Sequence, residues 1–127
     1  MADEQLEFLK LPPHSIEAEQ SVLGGLLLDN EALDKIADIL TAGDFYQHDH
    51  KLIYEHIAKL IERNHPADIV TVAESLESTS ELTTVGGVAY LGALAQNTPT
   101  AANIRRYAEI VHERAVMRQL VTVGSDI

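Results

Sequence analysis

Apolar residues recur at three- and four-residue intervals from Ile16 to Val123 and almost nowhere alternate one by one. That spacing gathers them on single faces of 3.6-residue helices and supplies no two-residue period for a sheet. The best strand candidate, Ile69-Val70-Thr71-Val72, is preceded by Asp68 and followed by Ala73-Glu74, which favours a helix. The spacing therefore predicts an all-α fold, a compact bundle of about six helices with short connections. At 127 residues the chain is the size of one domain and can bury a core without staples.

Punctuation along the chain divides it into three parts. Residues 1–14 read as a flexible arm, because Pro12-Pro13 blocks a helix, with Leu6, Phe8, Leu9 and Leu11 available to pin it to a partner. Residues 15–97 read as a helical head. Ser15 caps a first helix running to about Leu28, with Glu17 and Glu19 in its opening turns, where acids suit the dipole. Gly24-Gly25 inside that helix costs about 1 kcal/mol per glycine against alanine, which a close helix crossing explains. Asp29-Asn30 opens a second helix ending at Ala42-Gly43, with Leu33, Ile36, Ala37 and Leu40 facing inward. A third is expected over His48 to Arg63, a fourth from an Asp68 cap to Leu76, and a fifth around Val88 to Ala95 after a Ser78–Gly87 loop. Residues 98–127 read as a linker and a sixth, long helix starting near Ala102 and running at least to Val123. No proline or capping signature closes it, so it is expected to be truncated.

The sixth helix carries two apolar stripes. Ile104, Ala108, Val111 and Ala115 form one, and Ile110, Met117, Leu120 and Val121 the other. An apolar arc this broad exceeds what one buried face needs, so the second stripe is free to meet something else. Arg105 and Arg106 have Glu109 at helical spacing, whereas Arg114 and Arg118 have no acid three or four residues away. Solvated charge is the plain reading of that pair, and a protein interface, where arginine is enriched, is the functional one. The candidate interface is therefore Ile110, Arg114, Met117, Arg118, Leu120 and Val121.

Charge and motif content argue against several chemistries. The net charge is −11, with −12 on residues 1–103 and +1 on residues 104–127. A domain this acidic repels a phosphate backbone. No Gly-Lys-Ser/Thr group occurs, so no phosphate loop is present and no cofactor is expected in this chain. Cysteine is absent, which removes disulfides and thiolate metal sites. His48-Asp49-His50 is the sharpest metal-like cluster, but neighbours at a helix start diverge, so they read as solvated, and no metal site is expected. His14, His56, His65 and His112 read as surface or cap residues, and the acids as a solvated surface. No catalytic residue is assigned. No apolar run approaches the roughly 20 residues that span a bilayer, so no membrane contact is expected.

Several stretches together resemble a known family. Pro13-His14-Ser15-Ile16-Glu17-Ala18-Glu19-Gln20-Ser21-Val22-Leu23-Gly24 is similar to the opening of DnaB-type bacterial replicative DNA helicases. So are Asp44-Phe45-Tyr46 with His50, Gly86-Gly87-Val88-Ala89-Tyr90-Leu91, and Ala101-Ala102-Asn103-Ile104 leading to Tyr107-Ala108-Glu109-Ile110-Val111. The order holds from about Leu11 to Leu120. Leu33 departs from the pattern, since relatives often carry Trp before Asp34. The resemblance implies the helical N-terminal domain of a hexameric, ATP-dependent helicase of the bacterial cytoplasm and its replisome. ATP and Mg would belong to a motor domain absent from these residues, and that motor would make the main DNA contacts. This domain would serve self-association into a collar and docking of primase, with the sixth helix as the first arm of an incomplete hairpin. The competing reading from the residues alone is a free-standing helical adaptor unconnected to a helicase, and a small metal-dependent hydrolase on His48, Asp49 and His50 is a third.

Overall fold

A computed structural model describes residues 11–125, with side chains described to residue 122. Five α-helices are present among them: α1 (Ile16–Leu28), α2 (His48–Glu62), α3 (Ile69–Ser78), α4 (Gly87–Asn97) and α5 (Ile104–Ser125). No strand is present among the described residues. Two short 3-10 segments, Asn30–Lys35 and Ala42–Asp44, join α1 to α2. Residues 1–10, with Leu6, Phe8 and Leu9, lie outside the described residues.

α1 is the centre of the fold, packing against α2, α4 and α5. Its N-cap is Ser15, whose hydroxyl accepts from the Ala18 amide at 3.2 Å. Val22, Leu23 and Leu26 are wholly buried, and Phe45, Ile36, Ile53, Ile57, Leu76, Leu91 and Ile104 close around them. The glycine pair does mark a close crossing. A Cβ on Gly24 would overlap the Thr98 hydroxyl and the Leu94 carbonyl oxygen, and one on Gly25 would come within 3.1 Å of Ile104 Cδ1. Side chains larger than hydrogen at Gly24 would push α4 off the central helix.

The expected all-α bundle is therefore present, but the second helix takes a different form. The Leu33 carbonyl accepts from both Ile36 and Ala37 amides, and the Ile36 carbonyl from both Ile39 and Leu40. Such shared acceptors tighten the backbone out of the α form. The inward set becomes Ala32, Leu33, Ile36 and Leu40, while Ala37 is exposed. Asn30 explains part of this corner. Its amide nitrogen donates to the carbonyls of Leu26 and Ala67, and its oxygen accepts from the Ala67 amide, tying the end of α1 to the start of α3. Asp68 caps α3 by accepting from the Thr71 amide at 2.9 Å. The loop before α4 closes through Gly86 and Gly87 at φ +105° and +74°, a region that favours glycine.

Candidate protein interface

α5 has the two faces read from its sequence, with one displacement. Ile104, Ala108, Val111 and Ala115 are buried against the head. Of the second stripe, Met117, Leu120 and Val121 are 45%, 65% and 56% exposed, joined by Val116 at 39%. Ile110 instead is partly buried and packs on the core, because it sits about two turns nearer the head than Met117. Among the described residues no α5 side chain after Ala115 is buried.

The two arginines of the stripe sit beside the head rather than on open helix. Arg118 is half-buried, and its Nη1 donates to the Pro13 carbonyl at 2.8 Å and its Nη2 to the Asp44 carbonyl at 2.6 Å. Its guanidinium carbon lies 5.4 Å from the centre of the Tyr46 ring, in cation–π range. Arg114 is half-buried and lines a hollow with Leu11, Pro12, Pro13 and His14. Arg105 and Arg106 do not pair with Glu109. Arg105 donates to both Asp38 carboxylate oxygens and to the Lys35 carbonyl, and Arg106 reaches Glu113 at 3.5 Å. Hydrogen bonding to Arg105 holds the Asp38 carboxyl below the ordinary 3.8.

Beneath this surface lies a polar network that helical spacing did not reveal. Glu19, expected on a solvated first turn, is wholly buried. Its carboxylate accepts from the Tyr46 amide at 2.7 Å, the Gln47 amide at 3.3 Å and His50 Nδ1 at 2.8 Å. His50 Nε2 lies 2.6 Å from the Tyr90 hydroxyl, which also accepts from Gln20 Nε2 at 3.2 Å. Burial of the Tyr90 ring raises its hydroxyl pKa above the ordinary 10.0. Every buried side-chain nitrogen and oxygen among the described residues has a partner. The signal that could have found this network is the pairing of Glu19 and His50 inside the motif stretches quoted above, although nothing in their spacing joins them.

The remaining polar candidates find structural partners. His50 is engaged on both ring nitrogens and points inward, whereas His48 is exposed at the start of α2. No group of three His, Cys, Asp or Glu side chains among the described residues is placed to hold a metal ion. His56 is buried rather than superficial, bridging Ser75 Oγ at 2.7 Å and Glu81 Oε1 at 3.1 Å. The Thr79 hydroxyl, and after it His56, hold the Glu81 carboxyl below the ordinary 4.5. His14 stacks on Tyr46 with ring centres 4.3 Å apart, and His112 reaches Asp44 Oδ2 at 3.2 Å. These residues do not fit a nucleotide either: Gly24-Gly25 is filled by its neighbours and Gly86-Gly87 has no lysine after it. A hollow of about 300 Å³ between α1 and α4 is lined by Glu17, Gln20, Ser21, Tyr90, Asn97 and Thr98, among others. No helix among the described residues is long and apolar enough to cross a membrane.

Five helices around one core, their polar side chains given over to holding segments together, define a small all-helical domain. The family model described as the DnaB-like helicase N-terminal domain matches residues 11–113, and the chain belongs to that family. The replicative DNA helicase DnaB of Haemophilus influenzae is 44% identical over 126 residues, covering 99% of this chain and 27% of that protein. The chain thus spans about a quarter of the length of such relatives. The crystal structure of the N-terminal domain of DnaB helicase from Mycobacterium tuberculosis superposes with a TM-score of 0.89 at 45% identity, covering 91% of this chain and 81% of that one. A DnaB-like replicative helicase, described with its interactions with primase, matches with a TM-score of 0.74 at 25% identity, covering 86% of this chain and 25% of that one.

Proposed function

We propose that this chain is the N-terminal domain of a replicative DNA helicase, and that it assembles the collar of the helicase hexamer and docks primase. The observation that carries this reading is the family match along residues 11–113, on a chain spanning 27% of the Haemophilus influenzae relative. The solved DnaB-like helicase described with primase supports the choice of partner. In this reading residues 15–97 are the head, residues 98–127 supply a linker and the first arm of a helical hairpin, and a motor domain outside these residues binds ATP and Mg and contacts DNA. The candidate contact face is Met117, Leu120 and Val121, with Ile110, Arg114 and Arg118 at its margin toward the head. The acidic surface favours a partner with basic patches, since charge complementarity speeds encounter.

Titration calorimetry of the purified chain against primase from the same organism tests the docking. Saturable binding is expected, and no heat of binding at micromolar concentrations would remove that part of the reading. ATP hydrolysis by the purified chain would overturn the assignment of the motor elsewhere. The coding sequence beyond Ile127 is expected to contain a Gly-Lys-Ser/Thr phosphate loop. A stop codon there would favour the free-standing adaptor.

A further inference from the structure

We propose that Arg118 is a positioning residue that sets the direction in which the outer half of α5 leaves the head, using Tyr46 and the Asp44 carbonyl as its seat. The need for such a residue follows from packing. The last buried side chain of α5 among those described is Ala115, yet the helix runs on to Ser125. Ten further residues at 1.5 Å each make an overhang of about 15 Å. Apolar burial holds only the inner half of the helix, because the described apolar side chains of the overhang, Val116, Met117, Leu120 and Val121, are exposed.

Arg118 stands where the overhang begins. Its planar fork bridges two separate segments, reaching the carbonyl of Pro13 before α1 and that of Asp44 before α2. The Tyr46 ring beside it stacks in turn on His14. The seat itself is fixed from the core, since the Tyr46 and Gln47 amides both donate to buried Glu19. Asp44 is held as well: its carboxylate accepts from the Thr41 amide at 3.0 Å and from His112. α5 therefore touches Asp44 twice, through His112 at the carboxylate and through Arg118 at the carbonyl. Those two positions lie six residues apart, about 9 Å along the helix axis. Two anchors at that separation define a line, and the line is the helix direction. Lysine could not replace the fork, because a single ammonium neither bridges two carbonyls in fixed geometry nor stacks its plane on a ring.

The chain has no cysteine, so spin labels can be placed at will. One pair, Lys59→Cys with Gln119→Cys, reports α5 against α2, and a second, Lys59→Cys with Glu74→Cys, reports the head alone. Both distances should be read on the whole 127-residue chain, diluted into unlabelled protein so that only distances within one molecule are seen. In Arg118→Met the first distance distribution is expected to broaden while the second keeps its width and centre. Amides of residues 116–121 should then exchange faster by about tenfold or more, the factor that one lost charge-assisted hydrogen bond carries. Arg118→Lys should behave like Arg118→Met, and Tyr46→Phe, which keeps the ring, should behave like the parent. Unchanged width for the first pair in Arg118→Met overturns the proposal. So does a change in both pairs, which would make Arg118 a general stabiliser. If Arg118→Met fails to fold, Arg118→Lys gives the same two decisive outcomes.

Discussion

Alanine at Gly24 tests the closest helix crossing in the fold. The added Cβ would overlap the Thr98 hydroxyl and the Leu94 carbonyl oxygen and lie 2.8 Å from Thr98 Cβ. Neither obstacle can turn aside. The carbonyl belongs to the α4 backbone, and the hydroxyl is held by donating to that carbonyl at 3.0 Å. α1 and α4 would have to part by about 1 Å to restore contact distances. Overpacking of this kind costs about 1–3 kcal/mol and sometimes more, and a backbone obstacle places it at the upper end. Alanine returns about 1 kcal/mol of helix propensity. The net expectation is a loss of about 2 kcal/mol, which lowers the urea midpoint by about 1 M at ordinary slopes. Helical circular dichroism reads that midpoint, and the same molecule supplies two controls. At Gly25 the nearest atom is the end of the Ile104 side chain at 3.1 Å, which can give, so the change should be close to neutral. At Gly92, inside α4, nothing lies within 4 Å, so alanine should stabilise by about 0.5–1 kcal/mol. A Gly24→Ala protein as stable as Gly92→Ala would refute the crossing.

Glu19→Leu would strand the Tyr46 and Gln47 amides and His50, and each buried group left without its partner costs about 1–3 kcal/mol. Thermal melts of Glu19→Leu that match the parent would contradict the network described above. The two depressed carboxyls give an acid signature. A group whose folded pKa lies below its unfolded value contributes stability that is present above the unfolded value and is lost as pH falls through the folded one. The contribution of Glu81 should therefore fade only below pH 4.5 and that of Asp38 only below pH 3.8. Carboxyl-carbon NMR titration should return Asp38 to its ordinary value in Arg105→Gln, and an unmoved midpoint would detach it from Arg105. Charged residues at Leu120 and Val121 should weaken self-association of the chain, and unchanged sedimentation would count against the α5 face as the contact.

What could be read from the sequence was whatever is decided locally. Ser15 and Asp68 announce their helices because a cap bonds within three residues of itself. Gly24-Gly25 announces a crossing because a glycine pair in a helix needs a packing reason. The inner stripe of α5 follows from periodicity alone. Most of the misses involve distant partners. Arg105 reads as paired with Glu109 by the i, i+4 rule, yet it takes Asp38, which lies 67 residues away. Arg118 shows no acid on its own helix because its partners are carbonyls 105 and 74 residues distant. Glu19 and His56 carry polar side chains into the core, and only the tertiary fold shows what receives them. The stretch after Asp29 failed for a related reason. Its apolar spacing suits an α-helix, but the Asn30 side chain ties it to Ala67, and the backbone turns the corner in tighter steps.

A buried carboxylate in a domain this small needs a physical reason, because apolar residues of similar volume often stabilise as well or better. The reason lies in where its bonds go. Gln47, the residue before α2, makes no side-chain cap for that helix. Glu19, on α1, accepts instead from the Gln47 amide and from the Tyr46 amide before it. A negative charge at a helix N-terminus also suits the dipole. The start of α2 is thus capped from another helix, and this fixes the position of α2 relative to α1, which a cap within α2 could not do. Apolar packing is not directional and would tolerate small slides between the two. Since Tyr46 is one of the two residues held, its ring is placed in the same act, and the ring is where α5 rests its arginine. The cost of burying Glu19 is therefore set against the placement of three helices, and a carboxyl group, with two oxygens and several acceptor sites, can meet two amides and an imidazole at once.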